Sequence, residues 1–384
     1  MIRPTVARVD LGALKSNFRN ILQYLAQERP EQGPRPIAVV KANAYGHGAG
    51  QVACALEDAG ADLLACADIE EGAALRAAGV RCDILIFGAL SVSDLDGLFD
   101  CRLIPTISTP GAARAVHAAA TRYRQPIRYH LKIDTGMNRL GFRHDNLRRT
   151  LPELLASQQL QLDAVYTHFA TADDPGSPLF AGQRTRFERA LDEIRTLEGG
   201  NRPASPRPFI HACNSAALLR DSRVWYDRVR PGLLLYGIVP PPLASTIPLV
   251  PVMTLGSRVV AVKGVRPGEG VGYGVTFTAD VSTTIAIIPA GYADGLDMRL
   301  QGRGAVLIRG RRAPIVGSVC MDMMMADVTG LDVSPGDEVV IIGSQKSPTG
   351  HVDRIDAREM ASVIGTIPWE IVCRIGSRIQ RIYT

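Results

Sequence analysis

Pro36-Ile37-Ala38-Val39-Val40-Lys41-Ala42-Asn43-Ala44-Tyr45-Gly46-His47-Gly48 decides the fold. A β-branched apolar run closes on a lysine, a small glycine-punctuated turn follows, and Ala49 to Ala59 then reads as a helix. This strand–turn–helix unit repeats. Further apolar runs occupy Asp62 to Ala67, Asp83 to Phe87, Leu103 to Ile107, Ile127 to Ile133, Leu162 to His168, Phe209 to Ala212 and Asp227 to Arg230. Between them, stretches such as Ile69 to Ala78, Gly111 to Thr121, Asn146 to Ser157 and Phe180 to Leu197 carry helical composition. About eight such units over about 230 residues match the size and rhythm of a (β/α)₈ barrel with a parallel sheet. An open doubly wound sheet is the alternative, but no G-x-G-x-x-G opens a helix to support it.

The texture changes at Pro240, Pro241 and Pro242, which rule out both a helix interior and a central strand. The boundary is placed here, with a barrel over 1–240 and a second domain over 241–384. Beyond it, Ser257 to Val265, Thr283 to Pro289, Ala305 to Ile308 and Glu338 to Ile342 predict a mostly β domain with one helix near Ala357 to Ile364. A helix is expected over Leu14 to Ala26. The strand before it, Thr5 to Val9, is open to pairing with the β domain instead of the barrel.

With 384 residues, 46% hydrophobic and 21% charged, the chain buries a substantial core. Its net charge of +5 arises from 43 basic and 38 acidic residues that are interspersed, so no phosphate-tracking stripe is formed and nucleic acid is not an expected partner. Arg309, Arg311 and Arg312 read as a solvated turn between strands. Met1 to Asp10 has no apolar leader segment, and no stretch reaches the roughly 18 apolar residues of a membrane helix. A cytoplasmic protein is expected. The 7 cysteines are scattered and unpaired in sequence, which excludes thiolate zinc and redox motifs and makes most of them small buried hydrophobes.

Barrel enzymes place their chemistry where strands end, so polar residues closing the apolar runs are the candidates. These are Lys41, Lys132 and Asp134, His168, His211 and Asn214, and Arg230. A lysine ending a Val-Val strand is desolvated, which lowers its pKa and makes an amine able to attack a carbonyl. A lysine that snorkels to the barrel rim is the plainer alternative. The turn that follows brings the hydroxyl of Tyr45 near the amine and favours the first.

The sequence resembles the alanine racemases, whose cofactor motif looks like Val40 to Gly48. The likeness continues through Lys132-Ile133-Asp134-Thr135-Gly136-Met137-Asn138-Arg139-Leu140-Gly141, Thr167-His168-Phe169-Ala170, Asn214-Ser215-Ala216 and Arg230-Pro231-Gly232. It extends past the proline boundary in Val271-Gly272-Tyr273-Gly274, Gly291-Tyr292-Ala293-Asp294-Gly295 and Cys320-Met321-Asp322. The resemblance implies pyridoxal 5'-phosphate bound through Lys41, its phosphate gripped by Tyr45, Ser215 and the backbone at Gly232 and Leu233, with Asn214 and His168 also at the cofactor. Arg230 would face the pyridine nitrogen and keep it unprotonated, weakening the electron sink and favouring racemisation over transamination. Lys41 would exchange the α-proton of the D-enantiomer and Tyr273 that of the L-enantiomer.

A free phenol titrates near ~10, so Tyr273 needs the positive network that Arg230 and His168 supply in this family. Arg139 and the backbone of Met321 would orient the substrate carboxylate, and Lys132 is the position carbamylated in many members, holding Arg139. Tyr273 and Met321 would come from the second subunit of a head-to-tail homodimer with shared sites. The implied role is supply of D-alanine for peptidoglycan. No metal is implied.

The likeness fails near the C-terminus, where Thr366-Ile367-Pro368-Trp369-Glu370 stands for the usual Thr-Ile-Asn-Tyr-Glu. An indole only donates and is larger than a phenol, so the pocket wall and its hydrogen bonding differ. Met298 and Ser318 replace frequent arginines of the access corridor. These changes bear on specificity and leave serine or another small amino acid open as a substrate. Three rivals find less support. A related pyridoxal decarboxylase would carry a Glu-Pro-Gly-Arg phosphate motif. A cofactor carrier of the single-barrel kind would end near Pro240. A metal hydrolase using Lys132, His168 and His211 would need a His-x-His closing the first strand.

Overall fold

The computed structural model describes residues 4–30, 33–90, 95–199 and 207–384. All eight expected runs form strands of one parallel sheet. The first is in two pieces, Arg35–Pro36 and Ala38–Val39, because proline has no N–H for the ladder. This broken strand closes the sheet on itself. Ile37 and Val39 donate to Val229 O and Pro231 O at 2.7 and 3.1 Å on one side, while Ala38 and Val39 pair with Leu64 and Ala65 on the other. The remaining strands are Leu63–Cys66, Asp83–Ile86, Ile104–Ile107, Ile127–Asp134, Leu160–Tyr166, Phe209–Asn214 and Arg228–Arg230.

The barrel interior has two chemically distinct halves. Residues two apart on a strand share a face. Ile37, Val39, Leu63, Ala65, Leu85 and Ile104 accordingly form a separate buried cluster. Their neighbours Ala38, Val40, Leu64 and Cys66 pack outward in the large core against the helices. The other half carries His130, Tyr166, His211 and Arg230, all buried.

The second sheet is mostly antiparallel, with Met253–Arg258, Ala261–Val265, Thr283–Ile288, Ala305–Ile308, Arg311–Val316, Met324–Asp327 and Glu338–Lys346 among its strands. The strand Val6–Val9 joins it, antiparallel to Met253–Arg258 and parallel to Gln380–Tyr383, so the first residues of the 1–240 segment do not follow the barrel. The expected run Ser257 to Val265 is divided. Val259 donates to Asp337 O and Val260 to Ile287 O, so the chain changes partner strand at that point. The expected helix Asn146 to Ser157 is also divided, into Leu147–Thr150 and Pro152–Leu155, because Pro152 has no N–H to continue it. Of the three clustered arginines only Arg309 lies in the turn. It pairs with Gly310, both at positive φ (53° and 70°), in a two-residue hairpin connection, and Arg311 and Arg312 begin the next strand.

Between the sheets the chain passes over the helix Leu11–Glu28. Asn17 fastens it there, donating to Leu235 O and Val250 O and accepting from Val250 N. The cysteine expectation is corrected: only Cys66 and Cys213 are fully buried, and Cys373 is exposed. Among the described residues no helix is long and apolar enough to cross a membrane.

Candidate active site

Lys41 follows Ile37 and Val39 on the interior face and lines a cavity of about 510 Å³ where the barrel strands end. The chain then turns left-handed: Ala42, Asn43, Ala44 and Tyr45 have φ between 51° and 55°. Each such residue costs roughly 1–2 kcal/mol, so the turn needs tertiary support. Glu71 supplies part of it, accepting from Ala42 N at 2.7 Å and Ala67 N at 2.8 Å, and Asn43 Oδ1 accepts from Ala49 N at 2.8 Å. The result sets Lys41 and Tyr45 on the same cavity.

Lys132 reaches the cavity from its own strand, 6% exposed. Just beyond, Asp134 Oδ1 accepts from the N–H groups of Gly136, Met137 and Asn138 at 2.9, 3.0 and 3.1 Å, which shapes the loop that presents Arg139. Lys41, Lys132, Arg139 and Arg230 therefore face one space against a single lining carboxylate among the described residues, Asp173. Desolvation lowers the Lys41 pKa and the Arg139 charge lowers it further. Lys132 is pushed down to about 8 by burial, then by Arg139 and Arg230. Such a site is built for anions.

Arg230 is held on every side. It donates to His211 Nδ1 at 2.9 Å, His168 Nδ1 at 3.1 Å, Thr167 O at 3.0 Å and Ala212 O at 2.8 Å. Burial lowers its pKa to about 10, so it stays cationic at neutral pH. Burial and the Arg230 charge hold His168 well below the usual imidazole range, hence neutral. A guanidinium has no acceptor, so His168 Nδ1 accepts and its Nε2 carries the proton.

Tyr45, Ser215, Gly232 and Leu233 meet at another part of the wall. Ser215 Oγ accepts from Gly232 N at 3.0 Å, and a Cβ on Gly232 would lie 2.6 Å from the Tyr45 hydroxyl. Asn214 also lines the cavity, but its Oδ1 caps the following helix through Ala217 N at 2.9 Å. Trp369 stands in the wall as well. This hydroxyl-and-backbone cradle, a nearby desolvated amine and a fixed guanidinium fit pyridoxal phosphate, whose anion, aldehyde and ring nitrogen would each find a matching group.

Tyr273 and Met321 are not there. Tyr273 is 79% exposed and lines a separate open hollow in the second domain together with Met321 and Tyr292. Its loop is nevertheless well defined. Gly272 and Gly274 flank it at φ 75° and 69°, Val275 follows at 47°, a conformation costly for a β-branched residue, and Ser318 Oγ donates to Tyr273 O at 2.5 Å. Met298 is half exposed on the same domain. As for the metal-hydrolase alternative, both nitrogens of His211 are engaged, by Arg230 and His130, and among the described residues no group of acidic, histidine or cysteine side chains is arranged to hold an ion.

Models of the alanine racemase N-terminal and C-terminal domains match residues 9–240 and 252–383. The chain belongs to the alanine racemase family. Alanine racemases of Symbiobacterium thermophilum and Carboxydothermus hydrogenoformans are 41% and 40% identical to it, covering 100% of this chain and 97% and 100% of theirs. Among solved structures, the alanine racemase of Bacillus anthracis with bound L-Ala-P superposes with a TM-score of 0.87 at 34% identity, covering 100% of this chain and 96% of that one. That of Bartonella henselae with covalently bound pyridoxal phosphate gives 0.85 at 28% identity, covering 99% of both chains. As a member of the alanine racemase family the protein is an isomerase that interconverts L- and D-alanine.

Some residues around the site carry no motif of their own. Glu71 acts through backbone N–H groups, which no side-chain spacing reveals. His130 shares the interior strand face with Lys132, two residues away, and that alternation is a signal that could have found it.

Proposed function

We propose that the protein performs the interconversion with pyridoxal 5'-phosphate held covalently on Lys41, Tyr45, Ser215, Gly232 and Leu233 gripping the phosphate, and Lys41 and Tyr273 of the partner subunit carrying protons on opposite faces of the substrate. The observation that carries this reading is the convergence of Lys41, Lys132, Arg139 and Arg230 on one cavity that lacks Tyr273. When bound, the cofactor lowers the acidity barrier at the substrate α-carbon by withdrawing its electrons.

Burial and the Arg139 charge lower the Lys41 pKa, which favours the neutral amine, the form able to take a proton. The guanidinium of Arg230, cationic and held by His211 and His168, would meet the ring nitrogen of the bound cofactor and disfavour a proton there. His168 Nε2–H, fixed by the Arg230 bond to Nδ1, donates to the phenol oxygen of Tyr273 of the partner subunit and stabilises its anion. Arg139 and the backbone at Met321 of the partner subunit hold the substrate carboxylate. Lys132, neutral in part and set between cations, is suited to take up CO2, and the resulting carbamate would compensate Arg139.

Two copies are needed because the exposed Tyr273 lines a hollow in the second domain and not the Lys41 cavity of its own chain. Trp369 narrows the wall and favours a methyl side chain over longer ones. Purified protein should absorb near the visible edge, lose that band on borohydride reduction, and racemise alanine in chiral chromatography. Colourless protein after cofactor addition, or alanine left optically unchanged, would contradict the proposal.

A further inference from the structure

The polar half of the barrel interior continues behind Arg230, away from the residues that line the cavity. His211 Nε2 lies 3.1 Å from His130 Nδ1, and His130 Nε2 lies 3.5 Å from Asp163 Oδ2. Both imidazoles are 0% exposed, whereas the Asp163 side chain, at 25%, reaches water. None of these three residues lines the cavity. Tyr166 stacks on His211 with centroids 4.5 Å apart and planes 10° apart, and Phe209 sets its ring edge-on to His130 at 5.1 Å and 89°. The rings are clamped in an aromatic, water-poor setting.

The donors fix the direction of every link. Arg230 only donates, so His211 Nδ1 accepts and the His211 proton sits on Nε2. That N–H meets His130 Nδ1, which must accept in turn, and the His130 proton is left on Nε2, facing the Asp163 carboxylate. At 3.5 Å this last link is an electrostatic contact more than a full hydrogen bond. Moving the His211 proton to Nδ1 would set it against the guanidinium at 2.9 Å. Protonating His130 would set two N–H groups against each other at 3.1 Å. Burial holds both imidazoles below their usual range and so favours the neutral forms this arrangement needs. The surrounding cations are already engaged: Arg228 with Asp62 at 2.8 Å, and Arg128 with Asp83 at 2.8 Å and, farther off, with Asp163 at 3.6 Å.

We propose that His130, backed by Asp163, is a positioning residue for the reaction: it locks His211 in the one tautomer that accepts from Arg230 and so holds the guanidinium at the cavity wall. The functional part rests on the reading that Arg230 works on the cofactor ring. The tautomer part does not.

Two measurements separate them. In protein labelled with ¹⁵N-histidine, long-range proton–nitrogen spectra at neutral pH should show His130 and His211 both neutral with the proton on Nε2. A proton on His211 Nδ1, or a cationic His130, would overturn the proposal without any variant. The second uses two substitutions in the cofactor-loaded enzyme. In His130→Asn the amide oxygen takes the place of Nδ1 as acceptor, whereas His130→Leu fills a similar volume with no acceptor. We expect His130→Leu to lower kcat about tenfold or more with little change in KM and a shifted cofactor absorbance, and His130→Asn to recover most of the loss. A purely structural role for His130 gives equal kcat in the two variants at full cofactor loading, and that result also overturns the proposal. Absence of racemisation in the unsubstituted protein, with the tautomers as stated, would instead count against the proposed function alone.

Discussion

Gly232 and Tyr45 approach so closely that any side chain at position 232 would enter the phenol hydroxyl: the Cβ would sit 2.6 Å from Tyr45 Oη. The same glycine donates its N–H to Ser215 Oγ at 3.0 Å, so backbone, serine and tyrosine form one close-packed cradle. Gly232→Ala should weaken pyridoxal phosphate binding by about tenfold or more, as expected for a lost charge-assisted hydrogen bond and a shifted phenol. Fluorescence titration of cofactor-stripped protein reads this. Gly182→Ala, in a helix with open space around it, is the control and should bind as the unsubstituted protein does. Unchanged affinity in Gly232→Ala would remove the cradle from the phosphate.

Lys41→Ala should abolish both the visible absorbance and racemisation, since no other cavity amine ends a strand beside Tyr45. A borohydride-stable cofactor adduct on that variant would place the attachment elsewhere.

Lys132 has a folded pKa of about 8 against an ordinary 10.5. Its burial as a cation therefore costs stability, a penalty fully present below pH 8. Between pH 8 and 10.5 the unfolded chain binds more protons than the native one, so this group makes stability rise with pH across that window. In CO2-free buffer, denaturant unfolding should show that rise, and Lys132→Met should flatten it. Equal slopes for the two proteins would contradict the shift. With CO2 supplied, native mass spectrometry should find one adduct per chain, absent in Lys132→Met.

Trp369→Ala should widen the cavity by a whole indole and raise kcat/KM for serine and longer amino acids relative to alanine by about 10-fold or more, the lower end of what a single methylene of pocket space is worth. An unchanged ratio would remove Trp369 from substrate selection.

The barrel was legible because its strands are short apolar runs with polar closers: Lys41, Lys132, His168, Asn214 and Arg230 line the cavity, His211 backs Arg230 and Asp134 shapes the loop that presents Arg139, whereas Tyr273 and Met321, named from the resemblance, lie outside that cavity. Several elements were not legible. The strand Arg311–Val316 contains Pro314, which argues against a strand, yet it pairs on both sides. Met324–Asp327 and Gln380–Tyr383 are only four residues long and gain their order from partners far away in sequence. The left-handed turn at Ala42 to Tyr45 lacks a local signature, since alanine ordinarily favours a right-handed helix. Glu71, a helix away, supplies part of what holds it.

The central claim is that each site joins Lys41 of one chain to Tyr273 of another, and complementation tests it most directly. Lys41→Ala and Tyr273→Phe should each be inactive alone, because on this account every site in either homodimer lacks one proton carrier. In a mixed dimer one site collects both defects, and the other collects the intact lysine and the intact tyrosine. With random reassortment roughly half the dimers are mixed and half of their sites are intact, so activity should rise to about a quarter of that of the unsubstituted enzyme. Activity that stays at the single-variant level, while tagged subunits demonstrably exchange, would show that both groups come from one chain.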